Sequence, residues 1–188
     1  MVKHTLFAVT VGLLIFFLYL LQYTGAFKSV TVGLDQRGPY QIIYKEHQGA
    51  YHKIVPVIED VEKWAKSQGL KCRLSFGEFF DNPEIVEEGR LKSRAGCLID
   101  PDDSSDANKF KNLQIPTDIK VDVIPQTQAV VALFTGAPGI GPLKVYPKAQ
   151  EFIKEGHLKQ KGSVIEIYEI FDNKSMKTTY LWPIEIAP

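Results

Sequence analysis

Only two cysteines, two methionines and four histidines occur among 188 residues, and the formal charge is zero, with 22 basic side chains against 22 acidic. Two cysteines are too few for a secreted module stapled by several disulfides, and no Cys/His set has zinc-ligand spacing. Cys72 and Cys97 sit symmetrically about a turn near residues 84 and 85, where they could face each other across a hairpin and pair, but the leading reading is two ordinary buried or half-buried thiols. The histidines are scattered: His4 precedes an apolar run, His47 lies in a turn, and His52 and His157 fall at helix ends. Without a basic excess there is no electrostatic footprint for nucleic acid, so none is expected as a partner. Nucleophile elbows and phosphate loops are missing too. Nothing in these counts asks for a cofactor or a metal.

Charge is absent altogether from Thr5 to Phe27, 23 residues whose stretch from Leu6 to Leu21 is nearly all apolar. A helix crosses the hydrocarbon layer in roughly 20 residues, so the first expected partner is a lipid bilayer, through residues 5–27. A cleaved signal peptide is the rival, with Met1-Val2-Lys3-His4 as its start and Thr24-Gly25-Ala26 as its small-residue site. Phe16, Phe17 and Tyr19, followed by interfacial Gln22 and Tyr23, favour a retained anchor over residues 1–27. Lys3 on one side nearly balances Lys28 and Arg37 on the other, with a slight lean toward a cytosolic C-terminal side.

Residues 28–39 read as a linker ending at Gly38-Pro39, and residues 40–188 as one domain. Tyr40 to His47 has the character of a strand. Ile54, Val57, Ile58, Val61, Trp64 and Ala65 then recur at helical spacing, with Pro56 in the first turn and Gly69 as the stop. Residues 71–80 and 90–99 are strands around the turn signal Asp81-Asn82-Pro83. The first unit, residues 40–100, is thus strand, helix, strand, strand. A polar connector follows over 101–117, and residues 118–188 repeat the order. There Ile119 to Phe134 reads as strand, and Leu143, Tyr146, Ala149 and Ile153 as one helix face with Pro147 in its first turn. Residues 165–173 and Thr178 to Ile186 are the closing strands.

The duplication is visible in the letters. Glu78-Phe79-Phe80-Asp81-Asn82 matches Glu169-Ile170-Phe171-Asp172-Asn173 at four of five positions, at a constant offset of 91. Two copies of this unit predict an α+β fold: after the transmembrane helix, a duplicated β-α-β-β domain with a mainly antiparallel sheet and both helices on one face. The other sheet face is then free.

His47-x-Gly49-x-Tyr51, Phe79-Phe80-Asp81-Asn82-Pro83-Glu84, Gly96 and Glu166-x-Tyr168 occur in that order. In this order and spacing the chain resembles the GyrI-like (DNA gyrase inhibitor-like) ligand-binding domains, also found as effector domains of bacterial transcription regulators. With the N-terminal anchor, the resemblance implies an endoplasmic reticulum membrane protein, single-pass, with a cytosolic domain acting as adaptor or receptor in selective autophagy. Outside the apolar run, Phe110-Lys111-Asn112-Leu113, after Asp102, Asp103 and Asp106, is the tetrapeptide with the aromatic-x-x-Leu spacing that autophagy modifiers read.

Glu166 and Tyr168 share one strand face and Ile165 and Ile167 the other, so isoleucines packed on the helices would turn Glu166 toward the open face. The resemblance implies a groove between the repeats with Glu166 as the carboxylate that receives a small polar or cationic ligand, or a peptide. A carboxylate among aromatic rings holds a cation through charge and ring faces together. Tyr168, Phe79, Tyr180 and Trp182 are the other candidate ligand-binding residues. No catalytic residue is assigned; the alternative is a small hydrolase of the same fold with Glu166 as general base. Asn173-Lys174-Ser175 has the form of a glycosylation acceptor, relevant if the domain is lumenal.

Overall fold

The computed structural model describes residues 2–99, 113–170 and 176–185. The chain opens with α1, Val2–Thr24, none of whose residues is buried. Two of its threonine hydroxyls bond back into the helix, Thr10 Oγ1 to the Leu6 carbonyl at 2.9 Å and Thr24 Oγ1 to the Leu21 carbonyl at 3.2 Å, which suits an apolar surrounding. One helix is therefore long and apolar enough to cross a membrane. Two amphipathic helices follow among the described residues, α2 (Val55–Ser67) and α3 (Gly141–Glu155).

Nine strands are described: β1 (Thr31–Arg37), β2 (Tyr40–Gln48), β3 (Leu74–Phe79), β4 (Lys92–Ile99), β5 (Lys120–Ile124), β6 (Thr127–Gly136), β7 (Lys159–Gln160), β8 (Val164–Ile170) and β9 (Met176–Glu185). The sheet runs β1-β6-β9-β8-β3-β4-β2-β5, with the short β7 on β9, and the pairings are antiparallel. Exchanging β1 with β5, β2 with β6, β3 with β8 and β4 with β9 returns the same order reversed. The duplication is therefore a two-fold pseudo-symmetry. Its axis passes between β3 and β8, where Phe76 pairs with Ile167, 91 positions later.

That order forces the sheet to curl. Arg37 ends β1 and Tyr40 begins β2, so they stand at most about 10 Å apart along the chain. In a flat sheet, β1 and β2 would be six strand spacings apart, about 29 Å. The edges must come together, and they do: a Cβ added to Gly38 would lie 3.0 Å from the Pro125 carbonyl oxygen, in the equivalent β5–β6 crossover. The inner face of the curl is a core of its own, with Ile42, Phe76, Leu98, Val131, Ile165, Ile167 and Leu181 buried together. Burying a side chain such as Phe76 contributes about 3 kcal/mol.

Both helices lie on the outer face. α3 packs Val145 and Ala149 on Val130, Ala132, Phe134, Tyr180 and Trp182. α2 packs Val61 and Ala65 on Ile43, Cys97 and Ile99, and Ile58 on Ala95. This α+β arrangement, an apolar helix followed by a large antiparallel sheet with two helices on one face, is the one the resemblance implies.

Several sequence expectations are corrected. Residues 28–39 are not a plain linker, because Thr31–Arg37 pairs along its whole length with β6. Ile119 to Phe134 is two strands, broken where Pro125, which has no donor, carries the chain from one sheet edge to the other. Pro147 lies inside α3, and Pro142 occupies the first turn instead. Leu143 leaves the core face and is 74% exposed, while Val145 is buried. Cys72 and Cys97 are not thiols; they form a disulfide with Cα atoms 5.4 Å apart. Ile165 and Ile167 face the interior of the curl rather than the helices, so Glu166 and Tyr168 turn to the helix side. Alternation identifies two faces but not which cover each meets, and here both faces are covered. The repeated turn Phe171-Asp172-Asn173, the sequon at Asn173, and Phe110 to Asn112 lie outside the described residues.

Candidate functional site

One register row crosses the middle of the outer face: Ala95, Gly77, Glu166, Tyr180 and Ala132 are successive cross-strand partners on β4, β3, β8, β9 and β6. α2 covers one end of this row and α3 the other. Gly77 and Glu166 fall between the helices, on the two central strands.

Glu166 is 6% exposed. Its Oε1 accepts a hydrogen bond from Tyr146 Oη at 2.8 Å and its Oε2 one from Tyr168 Oη at 3.0 Å. Among the described residues no cationic side chain is paired with it. Burial pushes its carboxyl up to about 7, against the lowering effect of the two hydroxyl donors. Burial likewise raises the Tyr146 and Tyr168 phenols, and the Glu166 carboxylate raises them further. The tyrosines are thus fixed as donors at neutral pH and the carboxylate is held near its titration point.

On the α3 side the walls are aromatic: Tyr146 meets Trp182 edge-on at 5.3 Å, and Tyr180 stacks on Trp182 at 6.1 Å. On the α2 side Tyr51 meets Phe79 edge-on at 4.7 Å. Phe79 folds back over Gly77, where an added Cβ would lie 2.9 Å from its Cζ and 3.3 Å from Ile54 Cδ1. Ser75, next along β3 on this face, donates to Glu62 of α2. Each central strand is therefore tied to its own helix by one polar contact, Ser75 to Glu62 in the first repeat and Glu166 to Tyr146 in the second.

The five candidate ligand-binding residues Glu166, Tyr168, Phe79, Tyr180 and Trp182 lie on this one face, the last two largely beneath α3. The motif residues form a neighbouring latch. Gly49 takes φ 130°, a left-handed conformation that favours glycine, and His47 Nε2 lies 3.3 Å from the Ala50 carbonyl. Tyr51 Oη donates to the Asp81 carbonyl at 2.8 Å and accepts the Asp81 amide at 2.9 Å. Asp81 Oδ2 accepts the Lys92 amide, and Asn82 Oδ1 the Glu84 amide, leading into the bend with Pro83. His47, Gly49, Asp81, Asn82 and Pro83 thus shape the hairpin that holds Tyr51 and Phe79, and Phe79 is the one that lies over Gly77 on the face of Glu166. Tyr146 was not singled out by the sequence, because its spacing with Ala149 and Ile153 reads as an ordinary core stripe. Two surface clefts, one lined by Gln36, Gln126 and Gln128 and one by Glu62, Lys66 and Arg73, lie away from Glu166.

Comparison with family models and with curated proteins finds no match. Solved structures do match. The chain is similar to EcmrR in a cryo-EM structure of its DNA complex, with a TM-score of 0.63 and 14% identity over 98% of this chain and 69% of that one. It is similar to the crystal structure of the EcmrR C-terminal domain, with a TM-score of 0.62 and 14% identity over 84% of this chain and 99% of that one. It is also similar to SAV2435 bound to tetraphenylphosphonium, with a TM-score of 0.53 and 12% identity over 82% of this chain and 94% of that one. At such identities the likeness is one of fold, to effector-binding domains of the GyrI-like kind.

Proposed function

We propose that this chain is a membrane-anchored, non-catalytic binding module that receives an organic cation, or the cationic part of a peptide, in the groove between α2 and α3. The observation that carries the proposal is a buried carboxylate held by two tyrosine hydroxyls, flanked by aromatic rings and, among the described residues, paired with no cation. Charge and ring faces then act together on a ligand that brings the missing positive charge. SAV2435, whose fold is similar, was solved with tetraphenylphosphonium, a cation of that class. Because Glu166 is nearly sealed, entry of a ligand requires Tyr146, Tyr168 or Phe79 to turn aside.

The layout also resembles testis-expressed protein 264, which carries a GyrI-like domain on a single membrane helix. By that resemblance the anchor sits in the endoplasmic reticulum membrane and the module recruits protein partners, as an adaptor or receptor in selective autophagy. Lys28 and Arg37 favour a cytosolic domain, whereas the Cys72–Cys97 disulfide favours the oxidising, lumenal side. Protease protection of the domain in sealed microsomes decides between them.

Calorimetric titration of the full chain in detergent with tetraphenylphosphonium tests the groove. Binding is expected to weaken more than tenfold in Glu166→Gln, and to weaken in the parent as the pH falls below about 7, where the carboxyl takes up its proton. Equal affinity of parent and variant would remove Glu166 from the site. A second reading, a small hydrolase, draws on the same carboxylate poised near neutral pH, the range in which a general base works best. Glu166-dependent turnover of an electrophilic ester would favour it over the binding module.

A further inference from the structure

The end of α1 is bolted to the domain, and to the helix that carries Tyr146. Gly25 closes α1 with φ 79° and packs so tightly that an added Cβ would lie 3.2 Å from Gly136 Cα. The Ala137 amide donates to the Thr24 carbonyl at 3.0 Å. Lys144, in the first turn of α3, donates through Nζ to the Ala26 carbonyl at 2.5 Å and also to the Lys28 carbonyl, while its ammonium stands 5.6 Å over the Phe134 ring.

Two further observations place the membrane surface at this corner. Tyr19 and Tyr23 stack at 6.1 Å on the last turns of α1, in the position where aromatic side chains mark the bilayer interface. Thr24, the residue bonded to Ala137, comes directly after them. Around the corner, Phe27 is 64% exposed and Leu143, beside Lys144, is 74% exposed. The opposite end of the molecule is identified by register. Ile170 pairs with Met176, and Met176 with Gly136, at the anchored end, whereas Phe79 pairs with Val164 at the other. The hairpin bearing Ile85 is thus about 20 Å away along β8.

Resting on the anchored reading above, we infer that residues 24–28 and the first turn of α3 are seated in the headgroup layer of the membrane that α1 spans, with Phe27 and Leu143 dipping into it. The occupant of this apolar corner is the bilayer itself, continuous with the surface of α1. The groove is then held at a fixed height above the membrane instead of swinging on a tether.

The test is depth-dependent quenching of the full chain in nanodiscs of phosphatidylcholine and phosphatidylserine containing doxyl-phosphatidylcholine. Bimane is attached to single added cysteines in Phe16→Cys, Phe27→Cys, Leu143→Cys and Ile85→Cys; each position is exposed, and Cys72 and Cys97 are occupied with each other. Seating predicts loss of emission at residue 16 with deep doxyl groups, loss at 27 and 143 with shallow ones, and unchanged emission at 85. Quenching at 16 with none at 143, or equal quenching at 85 and 143, overturns the seating while the anchor stands. No quenching at 16 overturns the anchor and the seating together. Lys144→Gln is expected to lower the quenching at 143 and leave that at 16 unchanged; unaltered quenching at 143 removes the clamp from the proposal.

Discussion

Gly77 stands directly across from Glu166 on the two central strands, so the buried carboxylate of Glu166 faces a residue without a side chain. The room this leaves is closed by the ring of Phe79, which is the far end of a flexible side chain and can move. Gly77→Val should therefore fold at a cost of about 1–3 kcal/mol, the usual range for overpacking, yet lose tetraphenylphosphonium binding. Chemical denaturation and calorimetry on the same variant check the two halves of this expectation, and undiminished binding would show that ligands do not use the space above Gly77.

Glu166 also sets a pH dependence. Its folded-state value, about 7, lies above the ordinary 4.5. The folded protein therefore keeps a proton that the unfolded chain releases between these values. The contribution is complete below about 4.5 and is lost as the pH rises through 7. Two and a half units correspond to something on the order of 3 kcal/mol. Thermal unfolding of parent and Glu166→Gln at pH 5 and pH 8 should show the parent losing stability relative to the variant at the higher pH. Parallel curves would mean that the Glu166 carboxyl titrates alike in the folded and unfolded chain.

A second buried carboxylate has the opposite arrangement. Glu78, 6% exposed, binds Arg94 Nε through Oε2 at 2.5 Å, and Arg94 Nη1 reaches Asp122 of β5 at 2.6 Å. The guanidinium lies 4.8 Å over the Tyr44 ring. Removing Arg94 strands a buried charge, so Arg94→Met should destabilise by about 3–5 kcal/mol, and adding Glu78→Gln should restore a large part of that. Urea denaturation of the two singles and the double completes the cycle. An additive double variant would show that the pair does not act as a unit.

The disulfide closes a sequence separation of 25 residues. Loop closure of that size contributes about 3 kcal/mol. Protein purified from its native source should run with altered mobility on a gel when reductant is added, and Cys97→Ser should unfold at a lower temperature. Identical mobility with and without reductant would indicate free thiols and a reducing compartment.

Much of the fold was legible in the sequence because its signals are local. The helical spacing from Ile54 to Ala65, Gly69 as its stop, and the echo of residues 78–82 at 169–173 identify two copies of one unit. What escaped is long-range. The pairing of Thr31–Arg37 with β6, 96 positions away on average, leaves no periodic mark in a strand as exposed as this one. The alternation around Glu166 was read correctly as two faces, but an inward-curled sheet also buries the face opposite its helices, and no local pattern announces a curl. Tyr146 was hidden for the same reason, since a tyrosine on an apolar helix stripe looks the same whether its hydroxyl meets water or a carboxylate.

The crossovers at Gly38-Pro39 and Pro125-Gln126 have a consequence beyond geometry. Each half lends its first strand to the other: β1 pairs with β6, and β5 with β2. Expressed alone, either half would present an unpaired strand edge and an uncovered inner core. A half-length chain would therefore have to work as a pair exchanging first strands, and joining the two halves makes that exchange a folding step instead of an assembly step. In one chain the equivalent central positions need not match, and they do not: Ser75 in one copy, Glu166 in the other.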